Sequence, residues 1–334
     1  MVKNGIQILA SLEGNHRGEP ELLRRLIETA RTAGADGVVL QKRTASQAAV
    51  RQVLDRPVAS YRSLGTAYRK ALEKLELPLE QWTRLCADLQ SQGFRLVVAP
   101  YDLPALRQVQ GLPVAGWKVS APLATHLPLL EAMGALRQPI AASVSGCTER
   151  EVKDLLGRLP PETTLVHDLT MCDSSIDFQD VGYLAALKPF GRTLGYADRS
   201  PEAALSLLAV TLGATLIEKP LLLERSSNGA DHAAGLSPQE FSAFVREIRA
   251  FESILDSRTF RNPDPHEMDR LDWERVSIVA ARSIPKGTLL TREMLAFKPP
   301  FRSLSPALAP FLEGRKVLYD IPEDTFLTLG MVEL

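Results

Sequence analysis

Short apolar runs alternate with longer stretches of helical periodicity along most of the chain. Eight runs read as strands: Ile6–Ser11, Gly37–Gln41, Arg95–Pro100, Ala115–Ser120, Pro139–Val144, Thr164–Asp168, Thr193–Tyr196 and Ala214–Lys219. They are short and mostly apolar without strict alternation, the pattern of strands buried on both faces. Between them, Glu21–Ala33 sets Leu22, Leu23, Leu26, Ile27 and Ala30 along one stripe and stops at Gly34. Pro78–Gln92 opens on a proline and acidic Glu80 and stops at Gly93, matching helix start and stop signals. Glu149–Leu156, Pro201–Leu212 and Pro238–Leu255 behave likewise. Eight strands, each followed by a helix, predict an α/β fold of the (β/α)8 TIM-barrel kind over residues 1–256. An open doubly wound sheet is the alternative; no GxGxxG follows any strand, and the regular count of eight favours the barrel.

Two segments break the rhythm. Lys42–Lys74 is long, rich in Arg, Ser and Gln, and carries no strand signal. Loops of this length are usually functional lids or disordered, and this one follows the second strand on the face where barrel active sites form. Residues 257–269, around SRTFRNPDPH, read as a polar, proline-bearing linker. Residues 270–334 then show short β-type pieces such as VSIVAA and KVLYDIPEDTFLT with a turn at Ile284-Pro285-Lys286-Gly287, a second, small β-rich domain.

Composition narrows the function classes. The 39 basic and 40 acidic residues leave a net charge of −1, so there is no global charge case for a nucleic-acid partner. Cys86, Cys147 and Cys172 are too few and scattered for a disulfide framework or a CxxC metal site, which suits a reduced, cytoplasmic setting. The apolar run Ile6–Leu12 is too short for a signal core, and no window approaches the roughly 18 apolar residues of a membrane span.

The segments GNHRGEPELLRRLIETARTAGADGVVLQ, VVAPYDLPAL, GWKVSAPLATHLPLLE, GYADRSPEAALSLLAVTLGATLIEKPLLLER and NGADHAAGLSPQEF resemble, in this order, signatures of the N-acetylneuraminate (sialic acid) synthase family. VAARSIPKGTLLTREMLAFKPP and SLSPALAPFLEGRKVLYDIPEDTFLT resemble its C-terminal SAF (antifreeze-like) domain. The resemblance implies condensation of phosphoenolpyruvate, as co-substrate, with an N-acyl amino-sugar aldehyde to give a nonulosonic acid for surface carbohydrate. It also implies a divalent metal, Mn or Mg, and a homodimer in which one SAF domain covers the partner's barrel mouth. The family's two metal-binding histidines fall on Arg199 and Pro220, neither of which can ligate a divalent ion. The acid of its first strand falls on Ser11, with Glu13 nearby, and its phosphoenolpyruvate lysine falls on Val39, with Lys42 and Arg43 close by. Its serine before the Asp falls on Ala197.

On this resemblance Asp198, Arg199 and Glu218 are the catalytic candidates, with Arg199 bringing a fixed charge to the metal's place. Asn15, His16, Gln41, Lys42, Lys118, Ser143, Ser145, Lys219, Asp231, Lys298 and Arg302 are the substrate-binding candidates, and no metal ligand is assigned. Lys118 ends an apolar strand, and burying an unpaired lysine is costly, which points it at a polar site. Asn15-His16 and Asp231-His232 equally suit turns, Glu218-Lys219 suits an internal ion pair, and His167-Asp168 suits a satisfied strand end or a new site with Arg199. Because site positions differ, a non-catalytic binding or regulatory paralogue and a metal-independent enzyme with another substrate stand beside the synthase reading.

Overall fold

The computed structural model describes residues 5–58, 64–169, 180–224, 234–255 and 264–334. The chain divides into two compact units, Met1–Asp256 and Ser257–Leu334. In the first, eight parallel strands close a barrel in sequence order: β1 (Gln7–Ser11), β2 (Gly37–Lys42), β3 (Arg95–Pro100), β4 (Gly116–Val119), β5 (Ile140–Ser143), β6 (Thr164–Asp168), β7 (Leu194–Ala197) and β8 (Ala214–Pro220). This is the expected barrel, with each strand within two residues of its predicted bounds.

Successive side chains of a strand face opposite sides of the sheet. Ile8, Ala10, Val38, Leu40, Trp117, Val119, Leu165 and Ile217 accordingly pack outward into the core shared with the helices. Leu9, Val39, Val97, Ala141, Val166, Ala197 and Leu216 pack inward as one apolar layer. Each fully buried Val or Leu contributes roughly 1.5–3 kcal/mol. One step of the alternation further, toward the strands' C-terminal ends, the inward positions are Ser11, Gln41, Lys118, Ser143, Asp168 and Glu218. The barrel interior thus changes from apolar to polar within two residues of every one of these strands.

Outside the barrel, helices Pro20–Thr32, Leu79–Ser91 and Glu149–Leu156 follow their predicted stripes, the last opened by a Thr148/Glu151 capping box. Leu103–Val109, Leu127–Gly134 and Tyr183–Leu187 are helical too; the first and last are short, and Leu127–Gly134 carries one charged residue, Glu131, and so shows no polar face in the sequence. Among its described residues, the connection after β2 holds the short helical pieces Ala45–Gln47, Arg51–Leu54 and Tyr68–Leu75. Helix Pro238–Leu255 clasps the N-terminal ends of β1 and β2. Its Arg249 donates to the Ile6 carbonyl at 2.5 Å and to Asp36 Oδ2 at 2.6 Å. Its Glu252 accepts from the Ile6 N–H, and Asp36 accepts from the Ile8 N–H at 2.7 Å.

The second unit pairs β9 (Ser277–Ala280) with β10 (Leu295–Lys298) antiparallel, with single bridges such as Ile284–Ile321 and Val317–Val332. Its core includes Ile278, Ile284, Leu290, Leu312, Val317 and Leu327. A helix runs from Pro265 to Glu274, so the last five residues of the stretch read as linker are its first turns. Asp264 caps it and Pro265 occupies its first position, a start signal within the polar run. No helix among the described residues is long and apolar enough to cross a membrane.

Candidate active site at the barrel mouth

A cavity of about 820 Å3 opens above the polar layer, at the C-terminal ends of the strands. Its floor includes Glu13, His16, Gln41 and Arg199. One wall is the connection after β2, through Gln47, Val53, Tyr68, Leu72 and Glu76. The opposite wall is built by Tyr101, Leu103 and Pro104 after β3 and by Pro122, Leu123 and His126 after β4. The long segment singled out in the sequence therefore shapes the mouth.

Beneath the floor lies a buried ionic group. Lys118, 1% exposed, places Nζ at 2.7 Å from both Glu218 carboxylate oxygens and 3.1 Å from Asp168 Oδ2. Glu13 Oε1 stands 3.9 Å away from the same ammonium. Arg199 Nη2 lies 3.4 Å from Asp168 Oδ1, and Ser143 Oγ donates to Asp168 Oδ2 at 3.3 Å. Burial alone would lower the Lys118 ammonium; Asp168, Glu218 and Glu13 outweigh it and raise its pKa. Burial pushes the Asp168 carboxyl up, but Lys118 and Arg199 more than offset that and hold it below the usual carboxylate range. Lys118 is thus a fixed cation, unsuited to proton transfer near neutral pH.

Toward the wall, Arg43 donates through Nε and Nη2 to Gln41 Oε1 at 3.1 and 2.8 Å and lies over the Tyr101 ring, 3.5 Å from its centre. Its Nη1 reaches the Tyr68 hydroxyl at 3.4 Å. Gln41 Nε2 donates in turn to Glu13 and to the Tyr101 hydroxyl. The guanidinium is held in place before any ligand arrives, the state that recognises carboxylate or phosphate at least entropic cost. His16 Nδ1 accepts from the Gly18 N–H at 3.1 Å, which leaves the proton of a neutral ring on Nε2. Burial lowers its pKa from 6.5 to about 4, against an opposing hydrogen bond to the Glu13 backbone, so the ring is neutral at physiological pH. Gly18 permits this turn: its φ is +76°, and a Cβ there would stand 1.7 Å from the Lys74 carbonyl oxygen.

Strand alternation separates the other candidates. Asp198 and Lys219 occupy outward positions, between the barrel wall and the helices. Lys219 Nζ lies 3.1 Å from Asp198 Oδ2, donates to the Ser200 and Glu202 carbonyls, and sits 5.3 Å from the Phe244 ring centre. Asp198 also accepts from Ser200 Oγ and from Ser206 Oγ. Lys42 is outward as well, paired with Glu76, and is not among the residues lining the cavity. Asn15 is buried and donates to the Leu221 carbonyl at 3.2 Å, tying the loop after β1 to the end of β8. Ser145 accepts from the Asp168 N–H at 2.7 Å and bonds His167 Nδ1 at 3.1 Å, bracing β6. Asp231 and His232 lie outside the described residues. In the second unit Lys298 pairs with Asp324, and Arg302 stacks 5.4 Å from the Trp273 ring centre. Tyr101, Tyr68 and His126 were not singled out for the site by sequence; Asp168 was weighed there as a partner of Arg199, and two-residue counting from Val166 turns it inward.

The described residues do not fit the family's divalent metal. The two histidine positions are Arg199 and Pro220, and the nearest carboxylates, Asp168 and Glu218, already accept from a guanidinium and an ammonium. Among the described residues, no group of three His, Cys, Asp or Glu side chains could hold a metal ion.

Comparison with known proteins places this geometry. Residues 26–259 match the NeuB family and residues 275–333 match the SAF domain. The chain is 30% identical to mouse (Mus musculus) N-acetylneuraminate-9-phosphate synthase over 98% of its length and 92% of the relative's. It is 27% identical to the N,N'-diacetyllegionaminic acid synthase of Campylobacter jejuni, covering 96% and 98% of the two chains. Among solved structures, a Chromobacterium violaceum protein provisionally named spore coat polysaccharide biosynthesis protein E superposes with a TM-score of 0.81 at 20% identity, over 98% of this chain and all of that one. The Leptospira borgpetersenii N-acetylneuraminic acid synthetase gives 0.67 at 21% identity, over 80% and 90%. At these identities the structures show the shared fold.

Proposed function

The chain belongs to the NeuB family, and from that premise we propose that it condenses phosphoenolpyruvate with an N-acyl amino-sugar aldehyde to form a nonulosonic acid for surface carbohydrate. The observation that supports this reading is a cavity that presents two guanidiniums, Arg43 and Arg199, on its lining, in a chain that aligns nearly end to end with nonulosonic acid synthases. In the reaction the C2=C3 electron pair of phosphoenolpyruvate forms a bond to the aldehyde carbon, and the carbonyl pair moves to its oxygen. Water adds to C2, the C2–O bond to phosphate breaks, and phosphate departs with that pair. One water proton ends on the new hydroxyl and the other on phosphate.

Arg43 would take the carboxylate or phosphate through paired N–H donors, and Arg199 would face the aldehyde oxygen. Lys118 and Glu218 sit beneath them and set the field of the floor. Gln41, Glu13 and His16 would orient sugar hydroxyls, with Asn15 holding their loop. Ser143 and Ser145 would brace Asp168, and the Asp198–Lys219 pair would hold the β7 and β8 ends that carry Arg199. Asp231, Lys298 and Arg302 would add sugar contacts in a domain-swapped homodimer of a cytoplasmic enzyme, whose mass light scattering measures.

The test incubates purified protein with phosphoenolpyruvate and a panel of N-acyl amino-sugar aldehydes, following phosphate release and 2-keto acid formation. Phosphate release that depends on acceptor supports the reading. Val39 and Ala197, in place of a family lysine and serine, favour a second reading, a regulatory paralogue; its mark is ligand binding without turnover on any acceptor.

A further inference from the structure

We infer that this barrel mouth works without a divalent metal, the Arg199 guanidinium standing where the family pattern places the ion and paired through Asp168 with the Lys118 ammonium. The inference rests on the synthase reading for its chemistry, but its geometry stands alone. Both cations are buried; Arg199 is 5% exposed and also lines the cavity. Both share Asp168, one at each oxygen: Arg199 at Oδ1 and Lys118 at Oδ2. Lys118 further spans both oxygens of Glu218. A divalent ion on either carboxylate would have to sit against an ammonium or a guanidinium, in a buried site where like charges are poorly screened. The second histidine position, Pro220, closes the last strand and offers no donor atom on its side chain.

What the pair supplies is charge in fixed positions. As the new carbon–carbon bond forms, the carbonyl electron pair moves onto the aldehyde oxygen. A guanidinium donor at the floor stabilises that developing oxyanion and cannot itself release a proton, so the oxygen takes its proton from water. Fixed donors of this kind need no reorganisation during the step.

The test is a manganese titration followed by the electron paramagnetic resonance signal of free Mn2+. The wild-type protein is expected to leave the ion free, with any Kd weaker than about 1 mM. A stoichiometric site tighter than about 10 µM in the wild type overturns the inference. The Arg199→His/Pro220→His variant is expected to gain at least about 100-fold in Mn2+ affinity; a folded variant that gains none counts against the assignment of the place. Should that variant not fold, the wild-type titration still decides. Calorimetry with phosphoenolpyruvate adds a separate arm. Equal affinity in Mn2+ and in chelator supports the inference, and affinity that appears only with Mn2+ overturns it. Absence of binding in both conditions sinks the synthase reading, while the manganese titration continues to decide the metal question.

Discussion

Replacing Lys118 by Met isolates the energetics of the ionic floor. Methionine is close in length, so the change removes a charge rather than a volume. The ammonium it removes serves Glu218 at 2.7 Å and Asp168 at 3.1 Å, both buried. Breaking a buried ion pair by deleting one partner costs about 3–5 kcal/mol, because the remaining charge is left uncompensated. In a unit of this size that corresponds to roughly 10 °C in Tm. The sign of its pH dependence follows from the carboxylates. In the wild type the Asp168 pKa is held down, so its contribution is present above its unfolded value and is lost as pH falls. Without Lys118, burial dominates at Asp168 and its folded carboxyl rises above its unfolded value, so the variant regains stability as pH falls. The loss should therefore be larger at pH 8 than at pH 5. Denaturant unfolding followed by tryptophan fluorescence reads it: Trp82 and Trp117 are buried in the barrel, whereas Trp273 is 68% exposed in the second unit. Adding Glu218→Gln to the variant should recover part of the loss. A loss under about 1 kcal/mol, or one equal at both pH values, refutes the reasoning.

Three further outcomes are expected. Between pH 6.5 and about 4 the unfolded chain takes up a proton on His16 that the folded chain refuses, so acidification through that window should remove about 3 kcal/mol of stability. His16→Phe should flatten that slope in a pH series of urea melts. Arg43→Met should weaken phosphoenolpyruvate binding roughly 10- to 100-fold by calorimetry with little change in Tm, since charge-assisted hydrogen bonds to a ligand contribute about 1.5–3 kcal/mol. Asp198→Ala should do the reverse: it leaves Lys219 buried beside carbonyls and destabilises by about 3–5 kcal/mol, while the folded fraction keeps its phosphoenolpyruvate affinity.

The barrel was legible because eight apolar runs at regular spacing have few alternatives, and burial on both faces removes alternation in a recognisable way. The site was legible in part. Lys118 stood out as a cation ending an apolar strand, and Arg199 through its departure from a motif. Asp198 and Lys219 stand beside true inward residues in sequence, and only the two-residue count shows that they face the helices. Choosing between Lys42 and Arg43 needed the direction of the chain leaving β2, where Lys42 turns outward to Glu76 and Arg43 folds back over Tyr101. Tyr68 and Tyr101 belong to segments separated by helix Leu79–Ser91 and converge only through the fold. The helix at Pro265 was hidden by its polar composition, although its Asp-Pro start was present.

The clasp of Pro238–Leu255 on the β1 edge also orders events during synthesis. The Ile6 backbone bonds a residue 246 positions later, Glu252, and β1 pairs on one side with β8. At about 5–20 residues per second, the ribosome needs roughly 10–50 seconds to supply that partner. Throughout that interval β1 presents an unpaired edge with apolar side chains on either face, the condition in which strands join the wrong neighbour. Closure of this barrel is therefore an event of the nearly finished chain, and a nascent chain stalled before Pro238 is the form that most needs a chaperone.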